Sequence, residues 1–447
     1  MSDSSTDPDR SSGYPDGPTA PAHLVTLRRD LHRHPEPAWR EFYTTARIVE
    51  ELERIGVDEY HVGPDVLASE ERMGVPDDAE LAEWRERALE AGADPDLLER
   101  MEGGHTGVVA VLRQGDHDDG PTIALRVDID GLPRAESTDD DHLPAREGFR
   151  SETGAMHACG HDAHATFGVG VLERVRESDF EGTLKVLFQP AEEVIGGGKP
   201  LAESGHLDDV DYLLAVHVGL DHPTGEVVAG IDGFLAVTQL RAEFTGASGH
   251  AGARPEEGRN AVQAMATAVQ NLYAIPRHGD GVTRVNAGQV GGGTASNIIP
   301  EQAHLQGEVR GETTELRDYM QDRAEQIIES AAAMHSCEAE IEVEGAAPSA
   351  TSDEAIVSVV QDLAGGVDGV DSVTHRDDLG GSEDATELLR YVQERGGQAA
   401  YVCVGTDHPG GHHTATFDVD ERSLPIGIDL LTEAVLRIAR LRPEANE

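Results

Sequence analysis

Lysine is nearly absent from this chain. Lys185 and Lys199 are the only two among 35 basic residues, set against 85 Asp and Glu, for a formal net charge of −50 over 447 residues. A surface of that sign repels nucleic acid and anionic membranes, so neither is an expected partner. Acid excess with so little lysine suits a salt-rich cytoplasm, where salt screens the self-repulsion that opposes a compact state. The composition reads as halophilic. Cysteine is scarce too: Cys159, Cys337 and Cys403 are too few and too scattered for a disulfide framework, which fits a reducing interior. No apolar run approaches the length of a membrane span. The start, MSDSSTDPDRSSGYPDG, has neither the basic head nor the apolar centre of a signal peptide. A soluble, cytoplasmic protein with a frayed head over residues 1–21 is expected.

What is present is ample for folding. Hydrophobic residues make up 38% of the chain, enough for real cores, and the length suggests two or three domains. Amphipathic helices are predicted over 23–33 and 41–55. The stretch 58–104 is acidic and helix-rich with little sign of strands, and reads as an insertion. From residue 106, short apolar runs (107–112, 122–127, 183–188, 212–218) alternate with helical stretches such as 163–176, the pattern of an α/β domain around a mostly parallel sheet. Between 236 and 347 the order changes to strand, helix, two strands, helix, strand, which matches a ferredoxin-like βαββαβ motif. The α/β pattern then resumes, with a strand at 399–405 and a final helix near 426–439. The simplest organisation is a discontinuous domain, 22–235 and 348–443, carrying an inserted smaller domain at 236–347.

The densest chemistry lies in MHACGHDAH. His157, Cys159, His161, Asp162 and His164 fall within eight residues, just before a predicted helix. Thiolate and imidazole are ligands of zinc-like ions, and the single glycine between Cys159 and His161 lets both turn toward one point. A polar helix start with incidental histidines accounts for one or two of them, but poorly for the Cys and His two apart. In LFQPAEE an apolar strand delivers Glu192 and Glu193. Adjacent loop carboxylates point in different directions, so one can bind a metal while the other moves a proton. In so acidic a chain most Glu-Glu pairs are solvated surface; the place at a strand end argues otherwise. His217 closes the run YLLAVHV, and Asp128 and Asp130 follow another strand. Alone, His217 reads best as a satisfied core histidine. Together these residues gather at carboxyl ends of strands, where open α/β sheets bind ligands. A late candidate comes from His412 or His413; spacing alone does not choose between them. His250 lies in a Gly/Ser loop, and Asn297 and Arg310 bracket a strand. Ordinary turn chemistry and a surface arginine explain these equally well.

These motifs, with AVHVG, GASGHAGARP, SNIIP, GSEDAT and GHHTATFDVDE in this order, resemble the M20 family of metallopeptidases. Within it they are most similar to the amidohydrolase branch and to the group there that acts on p-aminobenzoyl-glutamate. The resemblance spans roughly residues 22–440. It implies a zinc-peptidase-like catalytic domain with a lid and dimerisation domain at 236–347. It also implies a centre of two divalent ions, zinc or manganese, held by Cys159, His161, Glu193, His217 and His413. His413 is preferred because the branch places its ligand four residues before the aromatic, here Phe417. The resemblance assigns Glu192 as general base, Asp130 and Asp162 as partners that orient ligand imidazoles, and His250 as the oxyanion donor, often from a partner subunit. Asn297 and Arg310 would hold the substrate's free carboxylate. The implied reaction is hydrolysis of the amide of an N-acyl amino acid by a homodimer or a heterodimer with a related subunit. Other acyl-amino-acid hydrolases, deacetylases or carboxypeptidases are the alternatives, as is a non-catalytic metal-binding subunit. Two departures stand out: Thr414-Ala415-Thr416 replaces a proline-containing segment, and Glu383-Asp384-Ala385 lacks the usual aromatic.

Overall fold

The structure, a computed structural model, describes residues 19–441. Most of the expected frayed head, and residues 442 and 443 of the expected larger domain, lie outside the described residues.

The strands, in chain order, are β1 (Glu59–Val62), β2 (Val108–Gln114), β3 (Thr122–Asp128), β4 (Gly182–Gln189), β5 (Tyr212–Val218), β6 (Glu226–Asp232), β7 (Ala236–Thr245), β8 (Gly249–His250), β9 (Thr283–Gly292), β10 (Ile298–Ile299), β11 (Gln302–Gly311), β12 (Glu338–Ala347), β13 (Ser372–Asp378) and β14 (Gln398–Val404). Eight of them form one sheet in the order β1-β2-β4-β3-β5-β14-β6-β13. Its centre is parallel, β4-β3-β5-β14, with β13 also parallel to β6. The β1-β2, β2-β4 and β14-β6 pairs are antiparallel. The fold is therefore the expected α/β class with a large, mostly parallel sheet. β4 and β5 are buried along their whole lengths, as strands covered on both faces must be, and this is why their sequences run apolar without alternation. Register brings carboxyl ends level in adjacent pairs: Asp128 of β3 lies opposite Gln189 of β4, and Val218 of β5 opposite Val404 of β14. The helix His161–Arg176 packs against β3, β4 and the helices Ala22–Arg33 and Ser423–Ile438.

The segment from β7 to β12 builds a separate antiparallel sheet in the order β12-β7-β11-β9, with the helices Ala261–Leu272 and Thr314–Met334 packed on it. Its buried apolar residues, among them Phe244, Leu305, Met320 and Ile328, form a cluster distinct from the core around the larger sheet. β8 and β10 pair into a small ribbon of their own.

The stretch 58–104 corrects one expectation. It opens with a strand, β1, which pairs with β2 from Glu59 opposite Val111 to Val62 opposite Val108. Only Val62 of its four residues is buried, so the strand is imposed by its neighbour and leaves no apolar periodicity to read. The helices expected there are present at Asp78–Glu90 and Pro95–Arg100, each started by an aspartate, Asp77 or Asp94, that accepts backbone N–H groups. Among the described residues, no helix is long and apolar enough to cross a membrane.

Candidate metal centre

At the carboxyl edge of the large sheet, Cys159 is the hub. Its Sγ lies 3.5 Å from His217 Nε2, 3.4 Å from His412 Nδ1 and 3.6 Å from His413 Nε2. His413 Nε2 is also 3.5 Å from Glu193 Oε2. Donor atoms of Cys159, Glu193 and His413 lie within 4.8 Å of one another, as do those of His161, Glu192 and Glu193. Glu193 therefore joins two neighbouring donor groups. Cys159, His161, Glu193, His217 and His413, scattered over more than half of the chain, converge on one place.

Local structure explains how. Gly160 adopts φ 84° at the start of the helix His161–Arg176, a left-handed turn open to a glycine that swings Cys159 and His161 inward. Asp130 fixes the next two pieces. Its carboxylate accepts the Glu193 N–H at 3.0 Å, and its carbonyl oxygen lies 2.9 Å from His161 Nδ1. Because a carbonyl only accepts, His161 carries a proton on Nδ1 and presents Nε2 to the centre. His217 is oriented the same way, with Nδ1 2.8 Å from the Val218 carbonyl. His161 Nε2 and Glu193 Oε1 are buried without a hydrogen-bond partner. Buried polar atoms are normally satisfied, and two orphans among soft and hard donors fit a divalent cation.

Burial dominates the electrostatics. It raises the Cys159 thiol to about 12 and the Glu193 carboxyl to about 8. Burial, then Glu383, pushes Glu192 well above the ordinary carboxylate value. His217 is held well below its usual value by burial and by His164, which keeps its ring neutral. A cation reverses the burden on the thiol and carboxylates.

Several neighbours carry no assigned role in the sequence reading. His164 bonds Asp128 through Nδ1 and accepts the Val218 N–H on Nε2 at 2.8 Å. Its spacing of three from His161 on one helix was the available signal. Arg126, fully buried, binds Asp128, Glu383 and Asp384, and Tyr401 donates to Glu383 at 2.8 Å. Asp162 does not reach a ligand imidazole; it holds Arg28 and His32, each at 2.8 Å. That differs from its expected role, because the helix turns Asp162 away from the face that carries His161.

A cavity of about 550 Å³ opens over the centre, lined by Cys159, Glu192, Glu193, His217 and His413, and by Arg310 from β11. Arg310 also reaches across to Ser382 at 3.2 Å. His250 and Asn297 are not among the residues that line this cavity. They meet each other instead on the β8-β10 ribbon, where Ile298 lies opposite His250 and the Ala251 N–H donates to the Asn297 carbonyl at 3.0 Å.

An α/β body carries this donor set at its strand ends, facing a cavity walled in part by a second sheet, and its family and relatives make it a hydrolase acting on amide bonds. The chain belongs to peptidase family M20/M25/M40, whose pattern matches residues 124–437. It is similar to the indole-3-acetyl-aspartic acid hydrolase of Enterobacter agglomerans, at 42% identity over 92% of this chain and 95% of the relative. One of the subunits of the p-aminobenzoyl-glutamate hydrolase of Escherichia coli K12 matches at 41% identity over the same shares of each chain. Among solved structures, the aminobenzoyl-glutamate utilization protein of Klebsiella pneumoniae superimposes with a TM-score of 0.80 at 35% identity, covering 93% of this chain and 95% of that one.

Proposed function

We propose that this enzyme hydrolyses the amide bond of N-acyl amino acids with an aromatic acyl group, p-aminobenzoyl-glutamate and close analogues first among them. The observation that carries this reading is the convergence of thiol, imidazoles and carboxylate around Cys159, with two buried donor atoms left unpaired. Cys159, His161, Glu193, His217 and His413 fit two divalent cations, zinc or manganese, which when bound polarise a carbonyl and acidify water. The rest is the work of side chains. Glu192 lies 4.0 Å from His161 and is almost wholly buried. It removes the proton of the attacking water and passes it to the leaving amine. Asp130 keeps Glu193 and His161 aimed. Arg310 offers its planar fork to the free carboxylate of the amino acid. His250 and Asn297 act from the ribbon, brought to the centre of a partner chain by dimerisation through the segment 236–347. The relative from Escherichia coli is named as one subunit of its enzyme, which supports either a second copy or a related chain as that partner.

The near-equal similarity to an indole-3-acetyl-aspartate hydrolase favours one second reading, in which the acyl group is indole-acetyl. A panel of p-aminobenzoyl-glutamate, indole-3-acetyl-aspartate, hippurate and N-acetyl amino acids, run on metal-reconstituted protein at high salt, separates the two. Bound metal with no hydrolysis of any member would sink both and leave a non-catalytic subunit. Glu192→Gln should keep its metal and lose about 100- to 10,000-fold in kcat; near-normal turnover in that variant would overturn its role.

A further inference from the structure

We propose that His412 is a positioning residue that donates a hydrogen bond from Nδ1 to the Cys159 sulfur, and that it is not a metal ligand. The proposal rests on the reading of Cys159 as a cation-binding thiolate. By distance alone His412 qualifies as a ligand, since its nitrogen, His217 Nε2 and Cys159 Sγ lie within 4.8 Å of one another. Its other nitrogen decides the matter.

A neutral imidazole has one N–H and one lone pair. The backbone N–H of Leu220 donates to His412 Nε2 at 3.0 Å, so the lone pair is used there and the proton sits on Nδ1. That Nδ1–H faces Cys159 Sγ at 3.4 Å. His161 and His217 are set the opposite way by carbonyl oxygens on Nδ1. The backbone therefore sorts the three rings: two carbonyls hold Nδ1 and turn Nε2 toward the centre, and one amide creates an N–H aimed at sulfur.

The turn that supplies this amide is built for the purpose. Gly219, Leu220 and Asp221 take φ 87°, 50° and 64°, so two consecutive non-glycine residues stand in the left-handed region that side chains disfavour. A Cβ at Gly219 would lie 2.7 Å from His412 Nε2, so only glycine lets the ring seat. Phe417 and His408, with ring centroids at 4.8 and 5.0 Å, hold it from other sides. A donor on the thiolate draws charge from the sulfur and weakens it as a ligand, which leaves the bound cations more electron-poor and better able to polarise a carbonyl.

The test uses full-length protein loaded with Co²⁺, reading cobalt per chain and the thiolate-to-cobalt charge-transfer band. In His412→Leu the cobalt content should equal that of the unaltered protein, while the band moves to lower energy because the sulfur lone pair is no longer stabilised. His412→Gln, whose amide N–H can replace the donor, should move the band back. Gly219→Ala, which leaves every donor side chain in place but crowds the ring, should shift it as His412→Leu does, and guards against a folding defect in the leucine variant. Loss of one cobalt per chain in His412→Leu would make His412 a ligand and overturn the proposal. An unmoved band would overturn it as well. If the unaltered protein binds cobalt with no thiolate band, Cys159 is not a ligand, and the reading of the centre fails together with the proposal.

Discussion

Beneath the helix that carries His161, a buried group of charges ties the helix Ala22–Arg33 to the site. His32 bonds Asp162 through Nδ1 at 2.8 Å and Glu136 through Nε2 at 3.0 Å, and His142 also reaches Glu136, at 2.7 Å. Burial and the Arg28 guanidinium both push the proton off His32, but Asp162 and Glu136 outweigh them and raise it to about 9. The folded state thus binds that proton more tightly than the unfolded chain does. The resulting stability is complete below the unfolded value of about 6.5 and is lost as pH climbs toward the folded one, a change of a few kcal/mol at most. Urea midpoints measured at constant salt should fall between pH 6.5 and 9, and His32→Gln should flatten that slope; an equal slope in the variant would place the titration elsewhere. None of this was visible in the sequence. Arg28, Glu136 and Asp162 stand far apart in it, and nothing in a lone histidine of an amphipathic helix announces a buried carboxylate. The ligand residues were legible because their chemistry is dense locally, as in MHACGHDAH, or sits at the end of an apolar run, as in LFQPAEE.

Elements were readable in proportion to how far their own residues determine them. β5 has the bounds that the pattern predicts, because it is a pure apolar run, and the helix Thr314–Met334 fills the place of the second helix expected between 236 and 347. β6 and β13 passed unseen. β13, SVTHRDD, has no fully buried residue; it is a strand because β6 pairs with it, and tertiary pairing of this kind overrides local propensity. The smaller sheet owns its core, so its helices can be tested alone. Asn260 caps Ala261–Leu272 by accepting the Gln263 N–H at 3.0 Å. Asn260→Ala should cost about 1 kcal/mol, measured as a lower denaturant midpoint, with metal content unchanged. A change in metal content would mean that the two cores are coupled more tightly than their separate clusters indicate.

For the molecule as a whole, the dominant compositional feature is charge. The formal net charge of −50 makes self-repulsion a global term, and raising salt from about 0.1 to 1 M shortens its reach from about 10 to 3 Å. The thermal midpoint should rise across that range, followed by circular dichroism; a midpoint that falls or stays level would show that repulsion is not what limits stability. The charge itself is read directly from the composition. The cavity beneath Arg310, by contrast, depends on two sheets meeting and has no counterpart in any single stretch of sequence.

The place of β14 has a consequence for how the protein is made. It sits between β5 and β6, yet it is the last strand among the described residues. A ribosome delivers this strand after both of the strands that flank it, so the nascent protein has an open slot between β5 and β6 until residues 398–404 emerge. Unpaired edges invite wrong partners. Chains that stop short of residue 398 should therefore aggregate or be degraded, even though every residue of the smaller sheet has already been synthesised.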